Sequence, residues 1–340
     1  MKFTKRVASL VLAGVMAVSL AGCGGGNKAA ATGLDANGEW KPSSSINIRV
    51  PFAAGGSADT IARIAAKGME AKYGQTAVVN NLTGANGAIA ANDLLSKNPA
   101  PTEMMVAGIG LFTLTPLFNS DVKVNLDDYQ IIGSLVAEDF VLLSSPAKTG
   151  IETFEDMIEY GKDKRVVCAG NPSGGTTHML AKALFGEAGI ECEILSEDGG
   201  SKNALAVASG DVDCCIVSAS AALQYVQDGT LVPLACFSEE EFTGYEGISV
   251  PTVKDKGYDI VFKSCNFLMT RKGVDPAVTD KIYQDMLAYR ETDEFKELAA
   301  NAAYTPDNQN GEEVRKTVED SADFCKEMYE KYYAGEAQGK

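Results

Sequence analysis

The chain alternates short apolar runs with glycine-rich turns and helical stretches, and it runs through this alternation twice. The first round begins with an apolar run over residues 46–52, which predicts a strand. It passes through a glycine turn into residues 60–73, where apolar positions recur at helical spacing. The second round begins at 140–144 and enters a helical stretch, 178–188, through another glycine turn. Strands that alternate with helices are typical of α/β layers with a parallel-rich sheet. The pattern therefore predicts two α/β units.

Other segments extend the same alternation toward the C-terminus. They are strands at 76–79, 103–108 and 165–169, helices at 88–96 and 153–160, further alternating segments at 193–195, 203–209, 214–217 and 231–237, and amphipathic helix at 277–298 and 311–333. Beyond the first 22 residues, no stretch reaches the roughly 18 apolar residues that a membrane span needs.

Composition and charge exclude several classes of function. The 340 residues are 45% hydrophobic and 22% charged, which is typical of a folded globular chain of about two domains. Thirty basic against 46 acidic residues give a net charge of −16, which argues against binding nucleic acid through a basic face. The only histidine, His178, excludes a metal site with two imidazoles and makes histidine-based catalysis hard. We predict no metal and no cofactor.

The N-terminus resembles a bacterial lipoprotein signal. Basic residues precede a short apolar run over 7–20, and Leu20-Ala21-Gly22-Cys23 resembles the lipobox, at which cleavage leaves an acylated cysteine. The alternative is an ordinary secretory signal with an accidental cysteine. We predict a signal peptide over 1–22 and a flexible, lipid-anchored tether over 23–45, rich in small and polar residues. The protein would then be extracytoplasmic, anchored to the cell membrane through Cys23.

The predicted mature chain keeps seven cysteines besides Cys23. This odd number shows no CxxC pair and no metal-ligand spacing. Either a reducing habitat or buried free thiols would account for it, and no disulfide can be assigned. The mature chain would have 27 basic and 46 acidic residues, a net charge of −19.

Two glycine turns carry the candidate chemistry. Residues 52–59 and 169–178 each place small residues and free amide N–H groups at a helix N-terminus, where the positive end of the helix dipole attracts an anion. In so acidic a chain, local amide dipoles rather than a basic field would hold an anion. The alternative is that the turns only connect strands to helices. Neither turn has the spacing of a Walker loop, a GxGxxG motif or a Gly-x-Ser-x-Gly elbow.

The first turn also carries a family resemblance. IRVPFAAGGSADTIAR over 48–63, followed by TGANG at 83–87, resembles the receptors of tripartite tricarboxylate transporters, also called Bug-type solute-binding proteins. Segments 169–178, 204–213 and 250–259 extend the resemblance over nearly the whole body of the chain.

The resemblance implies an α/β fold of the type II, Venus-flytrap periplasmic-binding-protein class, with a ligand cleft between two lobes. Residues 46–138 and 266–340 would form a discontinuous first lobe, and 139–265 the second. Such a receptor is a monomer and not an enzyme. It closes on a small carboxylate and delivers it to a membrane permease of one large and one small subunit.

The resemblance also implies which residues line the ligand site, with Asp59 holding its loop rather than touching an anion. They are Phe52, Ala54, Gly55, Gly56, Ser57, Asp59, Gly108, Gly110, Gly170, Ser173, Gly174, Thr176, Thr177, His178 and Gly199.

One departure from the family pattern bears on the ligand. Glu197-Asp198-Gly199 stands where the family has tyrosine, lysine and glycine. Two acidic groups there would repel a tricarboxylate unless they point away or pair with a ligand ammonium. The predicted ligand is therefore a monocarboxylate, a dicarboxylate or an amino acid. A surface sensor or adhesin of the same fold without a transporter, or an exported hydrolase, is the alternative.

Overall fold

The computed structural model describes residues 33–119, 121–196, 199–262 and 264–333. The predicted signal peptide, Cys23 and the first part of the predicted tether lie outside the described residues, as do Glu197 and Asp198. The chain divides into two compact units, with the division after Lys41.

The described part of the first unit, residues 33–41, is a local turn. The Asp35 carboxylate accepts hydrogen bonds from the amides of Asn37 (2.8 Å) and Glu39 (3.0 Å) and pairs with Lys41 at 2.7 Å. Leu34 and Trp40 form an antiparallel bridge, and Trp40 is buried. Asp35 supplies the acceptors that close this turn. The flexible tether over 23–45 stays a prediction.

The strands and helices named below lie in the second unit. Its strands are β1 Ile46–Val50, β2 Ala77–Asn81, β3 Glu103–Gly108, β4 Tyr129–Glu138, β5 Phe140–Ser144, β6 Val166–Gly170, β7 Cys192–Ser196, β8 Cys214–Ser218, β9 Val232–Cys236, β10 Phe242–Tyr245, β11 Ile248–Val250, β12 Ser264–Arg271 and β13 Thr305–Pro306. Its helices are α1 Ser57–Tyr73, α2 Ala88–Ser96, α3 Gly110–Thr113, α4 Thr115–Phe118, α5 Pro146–Thr149, α6 Phe154–Asp163, α7 Thr176–Glu187, α8 Gly200–Ser209, α9 Ala219–Gln227, α10 Pro276–Arg290, α11 Asp293–Ala300 and α12 Gly311–Tyr332.

The strands form two main sheets and one hairpin. The six-stranded sheet has the order β13-β4-β12-β3-β1-β2, the five-stranded sheet β7-β6-β8-β5-β9, and β10 pairs with β11. In the first sheet β1 is parallel to β2 and β3, whereas β12 is antiparallel to β3 and β4. In the second, β6 is parallel to β7 and β8, whereas β5 is antiparallel to β8 and β9.

Three neighbouring strands of each sheet are parallel as expected, β3-β1-β2 and β7-β6-β8, while the other described strands make both sheets mixed. β4 and β12 lie at the lobe boundaries that the resemblance implies, where the sequence predicted no strand. β4 leads directly into β5 of the second sheet, and β12 brings the chain back between β3 and β4, antiparallel to both. The lobe boundaries at 138 and 266 stay a prediction.

A buried apolar face and the capping residues explain where the helices begin and end. Ile61, Ile64, Ala65 and Met69 bury one face of α1, and the helix ends at Gly74, whose φ of 65° suits glycine. α1 begins three residues earlier than predicted, because Gly56 takes the extended N-cap conformation. The predicted helix over 277–298 is two helices, since Thr292 caps α11.

The seven cysteines that the structure describes are free thiols, six of them buried. Burial raises the pKa of the Cys215 thiol, which disfavours the reactive thiolate. None of the described helices is long and apolar enough to cross a membrane.

Candidate functional site

A cavity of about 90 Å³ lies where the two main sheets face each other. The carboxyl ends of β1, β3 and β4 of the first sheet reach it, and so do those of β6 and β8 of the second. Ligands of open α/β sheets bind outside such strand ends. This volume is several times the roughly 10–15 Å³ that a cavity needs to admit one water molecule. A small organic molecule therefore fits.

The helix N-termini around the cavity differ from those elsewhere in the described chain. Of the nine described helices of eight residues or more, α6, α10, α11 and α12 have side-chain N-caps, whereas α1, α2, α7, α8 and α9 have none. The N-cap residues of the five uncapped helices all line the cavity: Gly56, Gly87, Gly175, Gly199 and Ser218. First-turn amides are thus left without a side-chain acceptor where a ligand would sit.

The Asp59 carboxylate stabilises the first glycine turn from the side away from the cavity. Its carboxylate accepts hydrogen bonds from the Gly55 amide (2.9 Å), from Asn81 (3.0 Å) and twice from Arg63 (both 2.9 Å). Burial opposes the charge on Asp59, but these hydrogen bonds outweigh it and lower the pKa of the carboxyl below its ordinary value. Asp59 therefore shapes the turn, while Gly56 and Ser57 line the cavity.

The second glycine turn is braced by its own hydroxyl. Thr177 Oγ1 accepts a hydrogen bond from the Asn171 amide and donates one to Asn171 Oδ1, both at 2.8 Å. The Thr176 hydroxyl, at the start of α7, lies close to Gly110, at the start of α3. A Cβ added to Gly110 would lie only 2.8 Å from Thr176 Oγ1. Glycine at 110 is therefore needed for the two sides to approach.

Four polar side chains in the cavity wall hold buried atoms that have no hydrogen-bond partner within the described chain. These atoms are Ser57 Oγ, Asn86 Oδ1, Asn266 Nδ2 and both amide atoms of Asn203. Ser57, Asn203 and Asn266 are only 8%, 1% and 3% exposed. Because buried polar atoms are normally satisfied, this cluster indicates a polar ligand.

Glu138 is the only ionisable side chain among the described residues that line the cavity. It ends β4 and is half-buried. Burial raises the pKa of the Glu138 carboxyl, the neighbouring Ser57 hydroxyl and Asn266 amide oppose the rise, and Asp139 adds to it. No described group of His, Cys, Asp and Glu side chains could hold a metal ion.

Two hydrogen bonds span the cavity and connect the part of the chain around the first sheet to the part around the second. Asn86 Nδ2 donates to the Ser173 carbonyl at 2.9 Å, and Ser201 Oγ donates to the Gly55 carbonyl at 2.7 Å. Each joins a loop of the first sheet to a loop or helix of the second.

The structure brings nine of the predicted site residues into the cavity wall: Phe52, Gly56, Ser57, Gly108, Gly110, Gly174, Thr176, Thr177 and Gly199. Six others lie outside it: Ala54, Gly55, Asp59, Gly170, Ser173 and His178. His178 was expected to line the ligand site. It is instead buried toward α12, with Nδ1 2.7 Å from the Tyr333 hydroxyl, because the helix begins two residues before it.

Sequence reasoning missed Asn86, Glu138, Asn203 and Asn266. Asn203 lies in a segment of the alternation where a buried amide is unexpected, and that polarity was an available signal. Glu138 and Asn266 lie on two strands that the sequence did not predict, β4 and β12, so nothing marked them as facing one cavity.

A cleft closed between two α/β lobes, lined by uncapped helix N-termini and unpartnered amides, defines a solute-binding protein of the periplasmic-binding-protein fold. The R. palustris protein Rpa4515, solved with adipate, superposes with a TM-score of 0.80 at 18% identity, over 86% of this chain and 98% of that one. MatC from Rhodopseudomonas palustris, solved with bound malate, superposes with a TM-score of 0.76 at 16% identity, over 84% and 99% of the two chains.

The sequence comparisons place the protein within this class. The model of the TctC family, the tripartite tricarboxylate transporter family receptors, matches residues 61–332. The chain therefore belongs to this family of receptors. A relative from Cupriavidus necator, described as the UPF0065 protein in the gbd 5' region, is 26% identical over 314 residues, which are 91% of this chain and 94% of the relative.

Proposed function

We propose that this receptor works outside the cytoplasm, anchored to the bacterial cell membrane through lipid on Cys23. In this proposal it holds one small carboxylate in the cavity, as a monomer, and delivers it to a permease of one large and one small membrane subunit. The nine predicted residues in the cavity wall, together with Asn86, Asn203 and Asn266, contact the ligand.

One observation supports a carboxylate as the ligand. The five described helices of eight residues or more that have no side-chain N-cap are those whose N-termini line the cavity. Such amides bind anions, carboxylates among them, and charge-assisted hydrogen bonds to a carboxylate are strong. The neighbours solved with adipate and malate support a small carboxylic acid as the ligand.

The charge of the cavity wall further restricts the class of ligand. Within the described part of the cavity wall no basic side chain offsets a second or third carboxylate, and Glu138 opposes one. We therefore keep a monocarboxylate, a dicarboxylate or an amino acid as the ligand and place a tricarboxylate last.

A thermal-shift screen of the mature protein, with Cys23 replaced by serine, tests the ligand class. Small carboxylates and amino acids are compared, and hits are confirmed by calorimetry. A ligand at about 100 times its Kd stabilises the fold by about 2.7 kcal/mol, which raises the midpoint visibly. One hit with single-site stoichiometry supports the proposal. Citrate binding more tightly than every smaller acid would overturn the charge argument.

The anchor is tested separately in the full chain. Cells expressing the natural chain or its Cys23→Ser variant are fed a clickable fatty acid. Label on the natural chain alone supports lipidation at Cys23. Label on neither chain shows that the leader is an ordinary secretory signal.

A further inference from the structure

We infer that Glu138 binds a cationic group of the ligand, so that the cavity selects a small zwitterion. The ligand carboxylate would meet the uncapped helix N-termini, and its ammonium would meet the Glu138 carboxylate. This inference rests on the proposed receptor function and names the ligand class within it.

The first argument is the absence of a protein counter-charge at Glu138. The two carboxylates that are most buried in the described chain each have one: Asp59 pairs with Arg63 at 2.9 Å, and Asp285 pairs with Lys281 at 2.7 Å. Half-buried Asp139 and Asp213 have no ion pair among the described residues but accept hydrogen bonds from the protein. Glu138 has no ion pair with a described Lys or Arg, and its polar neighbours there are the Ser57 hydroxyl and the Asn266 amide. A carboxylate so placed is costly unless a cation joins it.

The second argument is that the helix N-termini in the cavity wall and Glu138 favour ligand groups of opposite charge. Helix N-termini favour a negative group, whereas Glu138 favours a positive one or a proton. A dicarboxylate would satisfy the first feature and be repelled by the second. A molecule with a carboxylate and an ammonium satisfies both in one small cavity.

The third argument is that the helices do not use Glu138 as their own anion. No main-chain N–H of the described residues donates a hydrogen bond to the Glu138 carboxylate, whose neighbouring groups are side chains. The anion-binding amides and the carboxylate are therefore separate features of the wall, and each is left for the ligand.

Affinity should depend on pH in a defined direction. An ammonium binds the ionised form of Glu138, so the affinity for a zwitterion falls as the pH falls through the raised pKa of this group. Asp139, next in the chain, and Tyr304, packed beside Ser57, are the other titratable groups that face Glu138. Tyr304, with a pKa raised to about 12, stays neutral over this range.

Calorimetry with matched ligand pairs tests the inference. The pairs are butyrate with 4-aminobutyrate and succinate with aspartate, measured on the natural sequence, on Glu138→Gln and on the exposed control Glu246→Gln. The natural sequence and the control should bind the amine-bearing member of at least one pair about tenfold or more tightly, the range of a hydrogen bond to a charged group. Glu138→Gln should abolish the difference.

The outcomes separate the inference from the receptor function. Equal or tighter binding of the amine-free acids, with a ratio that Glu138→Gln leaves unchanged, overturns the inference while the receptor stands. Tighter binding of amine-free acids that weakens as the pH rises shows that Glu138 donates a proton to the ligand, and also overturns it. Binding of neither pair removes both proposals. If Glu138→Gln does not fold, the pH series on the natural sequence decides.

Discussion

Polar residues near the cavity are of two kinds, those satisfied by the protein and those left for a ligand. Asp59 belongs to the first kind: its carboxylate accepts hydrogen bonds from Gly55 in its turn, from Arg63 on its helix and from Asn81 at the end of β2. Asn203 belongs to the second, fully buried with neither amide atom bonded among the described residues. Substitution at the two positions should therefore have opposite consequences for stability and binding.

Asp59→Ala should lower the free energy of unfolding by about 1–3 kcal/mol, because a buried carboxylate with charged and main-chain partners is lost. The pKa of Asp59 is lowered in the folded state, so its contribution is full above the unfolded pKa near 3.8 and is lost as the pH falls through the folded value. Urea unfolding at pH 7 and pH 3 checks both points. The exposed control Asp163→Ala should change little, and a cost that persists unchanged at low pH would contradict the ionic explanation.

Asn203→Ala should leave the free energy of unfolding unchanged or raise it slightly, because the natural amide is unsatisfied without ligand. The same change should weaken ligand binding by about tenfold, the value of one or two hydrogen bonds. Urea unfolding and calorimetry measure the two quantities. Exposed Asn301→Ala serves as the control. A large loss of stability with unchanged affinity would assign Asn203 a purely structural role.

At the scale of elements, glycine N-caps distinguish the helices that face the cavity. Glycine costs a few tenths of a kcal/mol relative to a serine or aspartate cap, so its use at four of these five positions is not favoured by helix stability. Gly56 is the position at which a side chain could be added most easily. Its φ is −85°, and a Cβ there meets only the Ala53 carbonyl oxygen, at 3.5 Å.

Gly56→Asp should raise the melting temperature slightly and weaken carboxylate binding by more than about tenfold, because the new carboxylate caps α1 and competes for the same amides. Differential scanning fluorimetry and calorimetry test this. Thr292→Asp, which exchanges one side-chain cap for another on α11, should affect neither quantity much. Unchanged affinity in Gly56→Asp would mean that the α1 amides do not bind the ligand.

The elements that the sequence predicts well are those with local signals. β3, β5 and α2 have the predicted bounds because apolar runs and glycine turns delimit them. β4 was missed because its residues are buried on both faces around Gly133 and Ser134, so no alternation marks it as a strand. The two glycine turns were predicted for the same local reason. Glu138 and Asn266 join the site only through pairing across the sheet, which no local pattern encodes.

For the whole molecule, the relation between the two lobes is set by few contacts at the cavity and by one long helix. Ser201 and Asn86 make the hydrogen bonds across the cleft. α12 packs against β4 of the first sheet and also against α7, where Tyr333 meets His178. Closure therefore depends on single polar contacts at the mouth, while α12 joins both sides.

Ser201→Ala should weaken ligand binding by about fivefold, mainly through faster dissociation, because one hydrogen bond of the closed form is lost without touching the cavity wall. Stopped-flow kinetics and small-angle X-ray scattering measure the rates and the ligand-induced compaction. Ser249→Ala, which removes a hydroxyl bonded to Glu241 in an exposed hairpin, is the control. An unchanged dissociation rate would show that this bond does not hold the closed form.

The reliance on helix N-termini rather than basic side chains also governs how fast a solute is captured. Attraction by a helix end fades within about one turn, whereas the field of a chain with a net charge of −16 extends over a Debye length of about 10 Å at 0.1 M salt. An anion approaching in dilute buffer is repelled before it is attracted, so added salt should accelerate its association, while a molecule without net charge would arrive at nearly the same rate at every ionic strength. Encounter would thus favour electrically neutral solutes before the cavity makes its own selection.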